Sequence, residues 1–256
     1  MSQRLLINMD QLDIARNISL FSDLTENEKD SLLKEGGIYS YRSKECLFME
    51  GDPIKFLYIV CDGLVQEFRQ TADGRELTVN IHKKGDVFCK TEIFLNEGLH
   101  NTNAMAIDSA YVMELPIDKF KESLQKHKSV AQRLASSLAR FAAMKQIEVE
   151  QQATMTSAQI LALFLRQTCA SHGLDPRGFS LPYKKSLIAS RLGMKLETLS
   201  RALPKLKEQG ITVKGSHVSF TDLKASGLAG LQAAARGNAV KFFPPSRKIR
   251  EMAHAS

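Results

Sequence analysis

Twenty residues, Lys185–Pro204 (KSLIASRLGMKLETLSRALP), constrain the fold more than any other stretch of this 256-residue chain. Two short helices that cross closely need a small residue at the crossing, and Ala189 supplies it. The turn between them needs a left-handed backbone, which glycine adopts at little cost, and Gly193 stands there. The first helix needs inward apolar positions, here Ile188 and Leu192. The second needs its own, here Leu199, Ala202, Leu203 and Leu206, with Met194 plugging the turn. Conditions met this densely predict a helix-turn-helix.

The second helix has another face. Glu197, Ser200 and Arg201 stand at i, i+3 and i+4, one stripe near its N-terminal end, the end a reading helix pushes into the major groove. Arginine can donate two parallel bonds to guanine, glutamate can accept from cytosine, and serine can contact a base or a phosphate. The bland alternative is an ordinary helical ion pair between Glu197 and Arg201; the surrounding motif favours the reading role. After Gly210, ITVKGSHVSFTD predicts two short strands around Lys214-Gly215-Ser216, a β wing. Lys184, Lys185, Lys205, Lys207 and Lys214 then become candidate phosphate contacts, which add affinity without sequence information. The charge agrees. Residues 181–256 carry 14 basic and 4 acidic side chains, the remainder 21 and 24, and the whole chain +7. A basic C-terminal third points to a polyanion, here double-stranded DNA.

The front of the chain has a different texture. Ser22 is a candidate cap, and Thr25–Glu28 has capping-box spacing. From Tyr39 to Pro116 short apolar runs alternate with Gly, Asp and Pro, as antiparallel strands do. Asp73-Gly74, between LVQEF and ELTVNI, marks a hairpin. Beyond Asp118 the period becomes helical. Across Ser129–Ala153 the positions Val130, Leu134, Leu138, Phe141 and Met144 form a narrow apolar stripe without Gly or Pro. A second copy of the same helix is the economical partner; the alternative is a helix lying on its own barrel. A further helix is expected over Ser157–Ser171, then a loop from Leu174 to Phe179. The expected organisation is α+β: a sensor β-barrel domain over 1–128, a dimerisation helix over 129–155, a winged helix-turn-helix over 156–230 and a weakly ordered basic tail over 231–256. No apolar run approaches the roughly 18 residues that span a bilayer, and the N-terminus meets Asp10 before any signal-type core. Cys46, Cys61, Cys89 and Cys169 are scattered, which fits a reducing cytoplasm. No membrane partner is expected.

Over about residues 15–225 the chain resembles the cAMP receptor protein and fumarate–nitrate reductase regulator (CRP/FNR) superfamily. The resemblance rests on the Gly-Asp punctuated barrel, the long helix, and a winged helix whose reading segment is LETLSRAL. Glu-Thr-x-Ser-Arg is similar to the motif of the oxygen and nitric-oxide responsive branch, so the resemblance assigns site selection to Glu197, Ser200 and Arg201 on sequences like TTGAT–N4–ATCAA. It implies a homodimer, a two-fold operator, contacts with RNA polymerase and a cyclic-nucleotide-binding-like jelly roll. There are two departures. Lys195 stands where Ser or Thr usually caps the reading helix. Pro204 predicts a kink after the reading residues.

The sensor pocket departs further. The family's cAMP binders use Gly-Glu and an Arg-Ser/Thr-Ala segment. Here Cys89-Lys90 and Asn101-Thr102-Asn103-Ala104 stand instead, and cAMP is not expected. The family's iron–sulfur cluster draws on N-terminal cysteines, and none precedes Cys46, so a cluster is not expected either. Gly85–Cys89 is similar to the carbon-monoxide sensing branch, in which a cysteine ligates haem. Cys89, with His82 or His100, is therefore a haem candidate against the plainer reading of a buried thiol and hydrogen-bonded imidazoles. The effector-pocket candidates are His82, Cys89, Lys90, Asn101 and Thr102. No Ser-His-Asp, phosphate-loop or zinc signature is present, so an enzyme is not expected. An effector module acting on a protein partner is the alternative; it explains the barrel but not the basic stripe.

Overall fold

A computed structural model describes residues 3–4, 9–94 and 98–221; the tail expected over 231–256 lies outside them. The described chain divides into two compact units, residues 1–149 with 187–193, and residues 150–186 with those from 194 onward.

The first unit opens with β1 (Gln3–Arg4), α1 (Met9–Arg16), a 3₁₀ turn at Ser19–Phe21 and α2 (Glu26–Leu33). The capping box at Thr25 forms: its hydroxyl accepts from the Glu28 amide, and the Glu28 carboxylate accepts the Thr25 amide at 2.8 Å. Ser22 does not cap; its hydroxyl donates back to the Ser19 carbonyl. Eight strands end to end include β2 (Gly37–Tyr41), β3 (Cys46–Phe48), β4 (Phe56–Asp62), β5 (Leu64–Gln70), β6 (Glu76–Lys83), β7 (Val87–Phe88), β8 (Asn103–Ala106) and β9 (Ala110–Pro116). With β1 they form two antiparallel sheets, β1-β2-β9-β4-β7 and β3-β8-β5-β6. The expected barrel is thus a jelly roll of two separate sheets. One reason lies at β7, which ends after two residues because Cys89 takes φ +61°, a conformation no strand continues.

Strand alternation builds two cores. On β4, Leu57, Ile59 and Cys61 enter the core that also holds Phe21, Leu33, Met113 and Phe120. Tyr58 and Val60 enter the opposite core with Val65, Phe88 and Val112. Burial on both faces is why this strand reads as one apolar run. The Asp73-Gly74 hairpin joins β5 to β6, pairing Gln70 with Glu76, with Gly74 at φ +77°. Gly63 is obligatory between β4 and β5: at φ +79°, an added Cβ would lie 2.3 Å from the Ser109 carbonyl oxygen.

After α3 (Ile117–Lys126), α4 runs unbroken over Lys128–Thr154. Its apolar stripe is divided. Val130 and Leu134 are buried in the first unit's own core, with Leu138 packed beside them. Phe141 and Met144 are exposed, at 40% and 54% of their surface. The stripe expected to serve a partner along its length is therefore consumed at its N-terminal end by the chain's own helices and sheet.

In the second unit, α5 (Ser157–Ser171) starts at a capping box between Thr156 and Gln159. β10 (Phe179–Ser180) follows, so the expected loop ends in a short strand. α6 (Lys185–Arg191) begins in the second unit and ends in the first. α7 (Leu196–Ala202), a 3₁₀ helix at Leu203–Gln209, and strands β11 (Ile211–Lys214) and β12 (His217–Phe220) complete the unit, its sheet ordered β10-β12-β11.

Candidate nucleic-acid interface

The turn before α7 is made by Gly193 at φ +64°. α7 starts at Lys195, which has the extended dihedrals of a cap but makes no side-chain cap bond. Inward, Leu199 and Ala202 are buried. Outward, Glu197, Ser200 and Arg201 are exposed. Among the described residues none of the three has a hydrogen-bond or ion-pair partner, so the helical Glu197–Arg201 pair does not form. The kink expected at Pro204 appears as a change of helix type. α7 stops at Ala202, and the chain continues as 3₁₀ helix with Pro204 in its first turn. There the missing proline N–H costs least, and the reading residues precede the change.

A groove of about 780 Å³ lies between the start of α5 and the outer side of α7, lined by Thr156, Ser157, Gln159, Thr198, Arg201 and Lys205. Arg166 fixes one wall by donating to the Gln209 carbonyl at 3.1 Å. The α5 side of this groove is not evident from the sequence, where its one local signal is the Thr156-x-x-Gln159 capping box. Lys184, Lys185, Lys205, Lys207 and Lys214 are all exposed. Lys214 sits at the tip of the wing, paired with His217 across the β11–β12 hairpin. Free ammonium groups around an unpaired polar stripe can hold a phosphate backbone while the stripe contacts base edges.

The sensor-pocket candidates come together only in part. His82, Cys89, His100 and Thr102 lie in the first unit's interior. Lys90 is spent on α4, its Nζ donating to Ser137 Oγ at 3.0 Å. Asn101 is exposed, and its carbonyl accepts from Arg69 Nε at 2.9 Å. The organising group is Glu67, whose one local signal in the sequence is its position two residues from inward Val65. One Glu67 oxygen accepts from Thr102 at 2.8 Å, and the other from Asn80 at 2.9 Å and His82 at 3.0 Å. Burial works to raise the Glu67 pKa, but the bonds from His82, Asn80 and Thr102 overcome it and hold the group at about 2. His100 is 3% exposed and stacks on Phe48 at 3.6 Å between ring centres. Burial lowers its pKa to about 4. Cys89 Sγ lies 3.8 Å from His100 Nδ1, and burial, with Glu92 and Glu67 nearby, pushes the thiol well above its ordinary range. Among the described residues no group of three or more His, Cys, Asp or Glu side chains is placed to hold a metal ion. No described helix is long and apolar enough to cross a membrane.

A jelly-roll domain, a long helix and a winged helix-turn-helix with a free polar stripe define a DNA-binding regulator with a sensor domain. Comparison with known proteins agrees. The cyclic nucleotide-binding domain family matches residues 38–127, and the Crp-like helix-turn-helix domain family matches residues 132–225. The fumarate and nitrate reduction regulatory protein of Salmonella typhimurium is 27% identical over 73% of this chain and 76% of its own. A solved regulatory protein from Silicibacter pomeroyi is 31% identical, covering 90% of this chain and all of that one, with a TM-score of 0.57. FixK2 from Bradyrhizobium japonicum is 27% identical over 78% of this chain and 98% of its own, with a TM-score of 0.64. The chain belongs to the CRP/FNR superfamily of transcription regulators, and it is not an enzyme.

Proposed function

We propose that the protein regulates transcription as a homodimer that reads a two-fold operator similar to TTGAT–N4–ATCAA. Glu197, Ser200 and Arg201 select bases, and Lys184, Lys185, Lys205 and Lys214 hold phosphates. The observation that carries this reading is the exposed, unpartnered trio on α7 beside the groove lined by Arg201 and Lys205. The exposed half of the α4 stripe, Phe141 and Met144, supports pairing with a second copy; Val130, Leu134 and Leu138 contribute only by fixing where α4 leaves its own domain. RNA polymerase is the proposed partner once the dimer is on DNA.

The domain boundaries follow this reading: sensing before residue 128, dimerisation from the later part of α4, DNA reading after residue 156. The proposed effector is not cAMP: Lys90, the one lysine among the pocket candidates, donates to Ser137 Oγ on α4 and is not placed to take a phosphate. Haem is not part of this reading, because the candidate ligands are already engaged with one another and with the interior: His82 Nε2 lies 3.0 Å from the Glu67 carboxylate, and Cys89 Sγ lies 3.8 Å from His100 Nδ1.

Fluorescence anisotropy on a palindromic TTGAT–N4–ATCAA duplex and a scrambled duplex, across a salt series, tests the reading. The expected result is tighter binding to the palindrome, at least about a hundredfold at moderate salt, with a steep salt dependence on both. Equal affinity for the two, from a protein that sediments as a monomer, overturns it.

A further inference from the structure

The match to the Crp-like helix-turn-helix domain family ends at residue 225, and 31 further residues follow it. They hold five basic side chains, Arg236, Lys241, Arg247, Lys248 and Arg250, against one acidic side chain, Glu251. That net +4 is more than half of the chain's +7. Four of the five cations fall within the ten residues Lys241–Arg250 (KFFPPSRKIR). Most of the net charge therefore lies beyond the matched domains.

The described structure fixes where this segment is rooted. β12 is the central strand of the β10-β12-β11 sheet, and its last residue, Phe220, is buried and pairs with Ile211 at the base of the wing. Beside it, the amide and the hydroxyl of Thr221 both donate to the Gly210 carbonyl, at 2.9 and 3.1 Å. Gly210 closes the 3₁₀ helix that continues α7 and carries Lys205 and Lys207. The segment is thus tethered to the continuation of the reading helix, at the end of the wing away from Lys214. From Thr221 to Lys241 there are 20 residues, at most about 65–70 Å of extended chain. One turn of duplex is about 34 Å. The tether is long enough for Lys241–Arg250 to meet duplex beyond the half-site that α7 contacts.

We propose that residues 236–256 are a second DNA-contacting segment, in which Arg236, Lys241, Arg247, Lys248 and Arg250 neutralise phosphates of the duplex flanking the operator. A cluster of like charges with one acid to offset it repels itself and gains most from a polyanion. Duplex is the polyanion at hand, because a tethered segment meets it at high effective concentration once α7 is seated. Each contact releases about one counterion, so the segment adds affinity that depends steeply on salt and is indifferent to sequence. The stripe on α7 then chooses the site, and this segment sets how much flanking duplex the protein needs. The inference rests on the DNA-binding reading above, and its test separates the two.

The test uses the full-length protein and the variant Lys241→Gln/Arg247→Gln/Lys248→Gln/Arg250→Gln. Anisotropy is measured across a salt series on the bare palindrome, on the palindrome with about 15 base pairs added at each side, and on a scrambled duplex of that greater length. Wild type should bind the flanked palindrome at least about tenfold more tightly than the bare one at moderate salt, and the glutamine variant should lose that gain. On the flanked duplex the variant's slope of log affinity against log salt should be smaller by roughly 3 to 4 for each copy of the segment on DNA. The charge-retaining swap Lys241→Arg/Arg247→Lys/Lys248→Arg/Arg250→Lys should match wild type within about twofold, because a phosphate contact reads charge. Equal slopes for wild type and the glutamine variant overturn the proposal. Equal loss on the bare and flanked palindromes overturns the placement on flanking duplex. A swap variant as weak as the glutamine variant overturns the phosphate assignment. A lowered urea midpoint in the glutamine variant would mean that these charges serve folding, and lost binding to phosphatidylserine vesicles with DNA binding unchanged would assign them to a lipid surface; either overturns the proposal. A wild-type protein that does not prefer the palindrome overturns the operator reading instead, while the slopes on the scrambled duplex still report whether the segment meets DNA.

Discussion

Two glutamates mark the two ends of what this molecule does with polar groups. Glu67, deep in the sensor domain, is bonded by Thr102, Asn80 and His82. Glu197, on α7, stands exposed beside Ser200 and Arg201 with no partner among the described residues. A buried carboxylate must be satisfied where it sits, because leaving it unpaired costs several kcal/mol. An exposed one is satisfied by water and remains available. The contrast separates a cluster that specifies structure from a stripe whose bonding capacity is reserved for a ligand.

The largest predicted effect breaks this contrast from the inside. Glu67→Leu strands three polar side chains in the interior and should cost on the order of 3–5 kcal/mol in urea unfolding. The matching change outside, Glu197→Leu, should stay within about 0.5 kcal/mol. Similar unfolding midpoints for the two variants would mean that Glu67 is not the organising group.

Acid sharpens the same point. His100 has a folded pKa of about 4 against an ordinary 6.5, so the unfolded chain takes up the proton first. Its contribution is therefore present above pH 6.5 and is lost as the pH falls from 6.5 toward 4, on the order of 2–3 kcal/mol. Glu67 carries the decline on: its stabilisation is present above 4.5 and is lost as the pH falls toward about 2. Urea midpoints measured at pH 7, 5.5, 4.5 and 3 should fall steadily. His100→Phe, whose ring can keep the stack on Phe48, should flatten the upper part of that decline and leave the lower part. An unaltered slope in this variant would show that His100 titrates freely.

How far the sequence revealed these sites depends on the reach of the interactions that make them. The helix-turn-helix was legible because its constraints fall within twenty consecutive residues. The β5–β6 hairpin was legible because Asp73-Gly74 dictates a turn locally. The Glu67 cluster was not, since its partners lie 13, 15 and 35 residues away and only the sheet pairing brings them together. The α4 stripe was half legible. Val130 and Phe141 obey one periodicity, and the sequence does not say where along α4 the domain's own core ends. The change from α to 3₁₀ helix at Leu203 was visible as Pro204, but its form depends on how the following turn packs against α5.

On the outside, Arg201→Ala should cost about 1–3 kcal/mol on the palindromic duplex and relax preference at one base pair. Folding stability should not change, because Arg201 has no partner to leave behind. Equal loss on scrambled DNA would reassign Arg201 from reading bases to holding phosphate, which its place in the groove beside Lys205 also allows.

The smallest effect distinguishes position from identity. Lys214 is exposed at the tip of the wing and belongs to neither the reading stripe nor the interior cluster. Its contribution to a duplex is the release of about one counterion, so Lys214→Ala should lower the slope of log affinity against log salt by roughly 0.9. The loss should be the same on palindromic and scrambled duplexes, because a phosphate contact carries no sequence information. A loss confined to the palindrome would place the wing among the base-reading elements. The line between holding and reading would then run through the wing and not along the exposed face of α7.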